Sequence, residues 1–417
     1  MGCAQSTAVD QGTPEPPAQQ PEPAAEQPEL PSARAVADEP EAQEPEPEPA
    51  AVAAEPTPGE ARLASRPLSA PVLWDDPAFP ADGSSLGEGS QNEDWAGYEW
   101  KRAGEIFAGG YGIFDGVGPE DINQGNLGDC YFLGALACLA VNPERVRKLF
   151  VTQAKPSDGK YTLQFSKGGL TTQVTVDDRF PCRDPGDGSV ALAFSSANGA
   201  ELWVQLLEKA WAKLHGSYLA IEAGNPGQCM TDLTGAPHTG ISPGTEDGDL
   251  EALWGALTAA SAAGHLMCAS VPDTPGDDLE SLCGLVEKHS YSVLGVQELT
   301  SGVRLVHLRN PWGSGAEWNG DWSDDSQLWS AEATAEVGGV AKGQDGLFYM
   351  ALSDFCRYYS SLDVVAYRDG WLSTGVALTL GVERCYVQMS VTAATVAGRY
   401  RAHGTGPDPT PLHASPL

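Results

Sequence analysis

The sequence predicts an α+β protein in which a helical region precedes a strand-rich one, behind a tail unable to build a core. Three observations carry this. The run CYFLGALACLA from Cys130 and the run ELWVQLLEKAWAKLHGSY from Glu201 place apolar residues at helical spacing. LMCASV from Leu266, HSYSVLGV from His289, RLVHLRN from Arg304 and GLFYMALSDF from Gly346 lack that period and read as strands. From Val9 to about Ser65 the chain is mostly Pro, Ala and Glu, with too few large apolar groups to offset the entropy of ordering.

Taken in order, residues 1–66 form a disordered tether. MGCAQS fits an acylation pattern, with Gly2 as myristate acceptor and Cys3 beside it for a palmitate. A single myristoyl chain binds a membrane weakly, with an association constant of about 10⁴ M⁻¹, and a second makes attachment durable. The tether's carboxylates are repelled by an anionic leaflet, so membrane residence would come from the lipid chains. The alternative is an unmodified flexible terminus.

A core begins near Pro71, and its first part runs over 67–224. Within it QGNLGDC ends in Cys130 at the head of an apolar helix, where unpaired N–H groups favour a thiolate. Gln124 stands ahead of it with an amide N–H₂ able to join the Cys130 N–H as an oxyanion donor. A lone cysteine there is more often a core residue. KYTLQFSKGGLTTQVTVDDRF reads as a hairpin about a Gly-Gly turn. A long amphipathic helix starts at Glu201, with Leu202, Leu206, Leu207, Ala210 and Leu214 near one face. AGNPGQ, from Ala223, is a turn-rich break and a candidate hinge.

The second part, 225–368, is strand-rich. LWGALTAASAAGHLMCASV from Leu253 reads as a helix followed by a buried strand, not a bilayer span. His289 opens one alternating strand, and Asn310 closes another before Pro311 and Trp312. Singly these are a core histidine and a turn residue. In the order Cys, His, Asn they make a triad pattern: the imidazole takes the thiol proton, and the Asn carbonyl holds the ring. Trp312 is placed to shield that hydrogen bond from water. LDVVAYRDGW and ERCYVQMSVTAATV read as strands entering another β domain. Residues 369–417 are too few for a sandwich of about 100 residues, so they form a partial β remnant with a disordered end, or the C-terminus is truncated.

A formal charge of −33 on 417 residues excludes nucleic acid as an expected partner. It suits a cation binder or a solvated, disordered segment equally. Nine scattered cysteines argue for reduced thiols in a cytosolic setting. No secretory signal is evident, and no EF-hand loop is present.

At Cys130, His289 and Asn310, and along LWDDPAFPADGSSL, WKRAGEI, VDDRFPCRDPGDG, AELWVQLLEKAWAKLHGSY and DLTGAP, the chain resembles the calpain-type, papain-like cysteine proteases over roughly 70–368. It looks like a small, N-terminally acylated form. The resemblance implies a papain-like core of two subdomains, with Cys130 on one and His289 and Asn310 on the other. It implies a calcium-dependent endopeptidase performing limited proteolysis of intracellular proteins, cytoplasmic and here peripheral on the inner face of a membrane. It also implies calcium ligands: Asp121 and Glu201 with the carbonyls of Phe114 and Gly116 in the first subdomain, and Glu317, Asp324 and Asp345 in the second. The bland reading is that Asp121 caps a turn and Glu201 a helix. In the second set the family's further glutamate is Leu347 here, and one extra residue separates Trp312 from Glu317, which weakens that site. Tyr131 replaces the family's Trp after the nucleophile, which implies a changed cleft wall. The competing function is a non-catalytic calpain-like scaffold at a membrane. A transglutaminase-type acyl transfer is disfavoured, because its third member is normally a carboxylate.

Overall fold

The structure, a computed structural model, describes residues 72–87, 95, 97–244, 249–274 and 278–369, and the backbone of three strands within 371–404. The tether over 1–66, with Gly2 and Cys3, and the last residues lie outside the described residues.

Five strands fall in the first half: β1 (Glu99–Arg102), β2 (Lys160–Lys167), β3 (Leu170–Asp177), β4 (Arg179–Arg183) and β5 (Ala191–Leu192). β2 and β3 form the expected hairpin, Lys167 pairing with Leu170. The turn between them needs two left-handed residues, and Gly168 and Gly169 supply φ of 59° and 77° without a Cβ penalty. Alternation buries Tyr161, Leu163 and Phe165 of β2. β4 joins β1 and β5 in a small antiparallel sheet.

The helix Cys130–Ala140 is buried from Tyr131 to Ala140, because it is apolar on every face. It lies against the strands Leu266–Val271 and His289–Glu298 of the second half. The helix Trp203–His215 begins two residues later than the sequence suggests, with Leu202 at its N-cap. It too is buried from Trp203 to Ala212, including Gln205, Glu208 and Lys209. Lys209 survives burial because its ammonium donates to the Asp177 carboxylate at 2.5 Å and to the carbonyls of Asp177 and Arg179.

AGNPGQ starts a helix instead of serving only as a break. Asn225 accepts from Gln228 N–H as N-cap, Pro226 occupies the first turn, and the helix runs Pro226–Thr234. Its Cys229, Met230 and Leu233 join the first hydrophobic cluster, which also takes in Leu266, Cys268 and Val365.

The second half is a six-stranded antiparallel sheet in the order β10-β9-β8-β7-β11-β6. Its strands are β6 (His238–Ile241), β7 (Leu266–Val271), β8 (His289–Glu298), β9 (Arg304–Arg309), β10 (Leu347–Ala351) and β11 (Ser361–Val365). GLFYMALSDF divides into β10 and a helix, Leu352–Tyr358. LDVV is β11, paired with β7 and β6, and so belongs to this sheet and not to a following domain. The Ala-rich stretch is the helix Leu250–Ala262 followed by β7. Among the described residues no helix is long and apolar enough to cross a membrane. Beyond residue 369, β12 (Trp371–Leu380), β13 (Glu383–Thr392) and β14 (Ala402–Gly404) form a three-stranded antiparallel sheet. Among the described residues about 30 % are helical and 24 % lie in strands, an α+β arrangement.

Candidate active site

The nucleophile helix meets β8 at the residues of interest. Cys130 is its first residue, half-buried, and its sulfur is hydrogen bonded by Ser290, the neighbour of His289. Ser290 is fixed in turn by a hydroxyl contact with Ser270 of β7 at 3.0 Å. His289 and Asn310 are both buried, and His289 Nε2–H donates to Asn310 Oδ1 at 2.8 Å. That leaves Nδ1 as the nitrogen free to take a proton. Asn310 is held on both sides: Oδ1 also accepts from Trp312 N–H, and Nδ2 donates to the Ala316 carbonyl at 2.8 Å. The Trp312 ring stands 5.2 Å from the imidazole.

Two loops join across this site. Gln124 N–H donates to the Pro311 carbonyl at 3.0 Å, and the buried Arg309 donates through Nη2 to the Ile122 carbonyl at 2.6 Å. The Gln124 amide reaches the Leu127 carbonyl, 2.6 Å away, and its Oε1 has no partner. So one N–H of the expected oxyanion donor is engaged with its own loop.

Two residues other than glycine adopt left-handed backbone beside the site. Lys288 (φ 52°) directly precedes His289, and Ala223 (φ 60°) precedes Gly224 while its N–H donates to Gly128. Such a conformation costs about 1–3 kcal/mol and persists where neighbours enforce it. Tyr131 is not on the open cleft. It is buried beneath the exposed Gly224, where a Cβ would come within 2.5 Å of its ring, and its hydroxyl accepts from Trp211 Nε1–H at 3.1 Å. The tyrosine therefore acts from below, by holding the Gly224 main chain outward.

The electrostatics correct one expectation. The Cys130 thiol is pushed up, not acidified: burial raises it most, and the Asp129 charge adds to that against the Ser290 hydrogen bonds. Burial lowers His289 to about 4, against the favourable bond to Asn310. Each shift is set first by the group's own burial. Beneath the helix start, Asp129 is fully buried, and burial and then the Glu208 charge push its carboxyl well up. Glu208, itself raised to about 7 chiefly by burial, accepts from Ser195 N–H. Sequence reasoning passed over Arg309, Asp129 and Glu208; the available signal was a charged residue set inside an otherwise apolar run.

Both expected calcium sets can be placed. In the first half Glu201 Oε2 accepts from Asp115 N–H at 2.6 Å, between Phe114 and Gly116, and Asp121 Oδ2 accepts from Gly118 N–H at 2.8 Å. Glu201, which lies outside the helix and does not cap it, is raised to about 7 by burial and by the Asp121 charge. Asp121 is raised by its own burial. In the second half Glu317 accepts from Gly346 N–H, and Asp345 from Leu347 N–H. Burial first and like charge second raise Glu317 to about 7 and Asp324 to about 6. Asp324 Oδ2 is buried without a partner, beside a cavity of about 670 Å³ that Glu317, Asp321 and Asp325 also line. Among the described residues no three His, Cys, Asp or Glu side chains converge closely enough to hold a metal unaided, so carbonyls or water would complete either shell.

Residues 74–366 match the family model described as calpain family cysteine protease. The chain belongs to that family. It is 37 % identical over 312 residues to the calpain-2 catalytic subunit of Rattus norvegicus, covering 71 % of this chain and 43 % of that one. It is 36 % identical over 303 residues to the calpain-type cysteine protease ADL1 of Oryza sativa subsp. japonica, covering 69 % and 14 %. The DEK1 protein of Arabidopsis thaliana, also a calpain-type cysteine protease, is 38 % identical over 258 residues, covering 60 % and 12 %. The chain spans less than half the length of these curated relatives. The family is one of cysteine proteases.

Proposed function

We propose that this chain is a calcium-dependent intracellular cysteine endopeptidase that performs limited proteolysis with Cys130, His289 and Asn310, held at a membrane by acyl chains on Gly2 and Cys3. The observation that carries the reading is the buried His289–Asn310 hydrogen bond of 2.8 Å on the strand against which the Cys130 sulfur rests.

The first step is transfer of the Cys130 proton to His289 Nδ1, with Asn310 keeping Nε2–H directed away from the sulfur. The sulfur then attacks the scissile carbonyl. The Cys130 N–H, at the helix start, and the second Gln124 N–H are the donors for the developing oxyanion. His289 returns the proton to the leaving amine. The exposed Gly224 main chain, held up by Tyr131, offers backbone contact to an extended peptide. Glu317, Asp324 and Asp345 would hold one calcium, and Asp121 and Glu201 with the Phe114 and Gly116 carbonyls another. A bound cation supplies positive charge that relieves the repulsion now expressed as raised carboxylate pKa values.

A calpain-like scaffold without catalysis is the second reading, favoured by the engagement of Gln124 with Leu127. A calcium titration of casein cleavage beside the Cys130→Ala protein separates the two. The proposal expects calcium-stimulated cleavage abolished in the variant, and labelling of Cys130 by a thiol-reactive peptide. Normal calcium binding with neither cleavage nor labelling establishes the scaffold. Membrane recovery in cells, lost in Gly2→Ala, tests the tether.

A further inference from the structure

The described cysteines are all free thiols, and two of them lie side by side where the halves meet. Cys138 sits on the helix that starts at Cys130, Cys268 on β7, and their sulfurs are 3.6 Å apart. Both are buried, and Cys138 also donates to the Met267 carbonyl at 2.9 Å. The helix is seated closely there: a Cβ on Gly134 would lie 3.9 Å from the Cys268 sulfur, and Ser292 Oγ donates to the Gly134 carbonyl at 2.8 Å.

We propose that Cys138 and Cys268 are a reversible redox pair, closing a disulfide under hydrogen peroxide and so clipping the helix that starts at Cys130 to the sheet that carries His289. This goes beyond the proteolytic reading and does not depend on it. Side-chain rotation has to bring the sulfurs together by roughly 1.5 Å to reach a disulfide bond length. Either sulfur can react first, since each lies against the other at 3.6 Å. When Cys138 leads, its sulfur attacks one peroxide oxygen, breaking the O–O bond and giving a sulfenic acid and water. The Cys268 sulfur then displaces the sulfenic oxygen as a second water. The two thiols lose two electrons to one peroxide, and their two protons leave in the two waters. The bond links positions 130 residues apart, a loop long enough to restrict the unfolded chain strongly. Burial makes the reaction depend on the helix lifting from the sheet, so its rate reports that opening.

The test uses full-length protein carrying Cys130→Ser, so that this less buried thiol does not consume oxidant. Hydrogen peroxide is applied with and without urea just below the unfolding transition, then thiols are alkylated in denaturant and peptides mapped without reduction. The proposal expects one linked peptide pair containing residues 138 and 268, lost with dithiothreitol, and an unfolding temperature several degrees above that of the reduced protein. Adding Cys138→Ser, whose hydroxyl can still donate to Met267, should abolish both; Cys268→Ala gives the same comparison if that variant does not fold. Recovery of both cysteines alkylated under both conditions, a link to Cys229 instead, or a shift that survives loss of Cys138 overturns the proposal.

Discussion

Replacing Asn310 by alanine probes the centre of the site. The side chain is fully buried and holds three partners: His289 Nε2–H, Trp312 N–H and the Ala316 carbonyl. Each orphaned buried polar group costs at least about 1 kcal/mol, so Asn310→Ala should destabilise the fold by about 3 kcal/mol. For a domain of this size that lowers the melting temperature by about 6–12 °C. The effect on chemistry is separate. Without the acceptor at Nε2 the ring loses its tautomer preference and its orientation toward Cys130, and kcat should fall on the order of 10²-fold or more. KM should change little, because Asn310 is buried away from the bound peptide. Thermal unfolding and steady-state cleavage of a peptide substrate, measured well below the variant's melting temperature, read the two effects independently. Unchanged melting would refute the buried hydrogen-bond geometry. A normal kcat in folded protein would refute Asn310 as the residue that orients the base.

Calcium affinity should fall as pH drops from about 8 to 6, since Glu201 and Glu317 at about 7 and Asp324 at about 6 then hold protons that a cation must displace; a calcium-binding isotherm flat across that window removes these carboxylates as ligands. The same raised values mean that these two glutamates bind more protons in the calcium-free folded state than in the unfolded chain above 4.5, so their contribution to stability should decline as pH rises from there through 7, while His289, lowered to about 4, acts in the opposite direction up to its usual 6.5; a pH series of denaturation midpoints for Glu317→Gln beside the parent protein reads the glutamate part. Lys209→Met should cost about 3–5 kcal/mol, because it strands the buried Asp177 carboxylate, and urea unfolding measures the loss.

Much of this was visible in the chain because it is local. The buried helix from Cys130, the Gly-Gly hairpin, the Ala-rich helix leading into β7, and β8 and β9 follow from apolar period and turn chemistry within short windows. The Cys, His and Asn positions stood out through residue type and order. The misread segments have local explanations too. Asn225-Pro226-Gly227 has the composition of a turn, yet the same residues make an N-cap and a first helical turn, and only the buried Cys229, Met230 and Leu233 decide between them. Leu362 to Val365 reads as a strand, but the choice of sheet depends on β7 and β6, far away in sequence. Contacts such as Gln124 with Pro311 leave no periodic trace at all. The acidification expected of Cys130 rested on its position at a helix N-terminus; it fails because the same packing that seats the helix also removes the thiol from water.

Arg309 shows how burial ties these parts together. Burial lowers its guanidinium to about 10, so it stays charged at neutral pH, and the carboxylates that act on it are Glu120, Asp345 and Asp121. Those residues come from both halves. Its Nη2 donates to Ile122 and Glu120 carbonyls on the loop that leads to Gln124, and the next residue along β9 is Asn310. Nε and Nη1 have no hydrogen-bond partner. A buried cation so incompletely bonded keeps its charge against burial because those carboxylates act on it. Through it the loop that leads to Gln124 and the strand end next to Asn310 are tied to one buried side chain, so the two segments cannot shift independently without breaking its bonds to the Ile122 and Glu120 carbonyls.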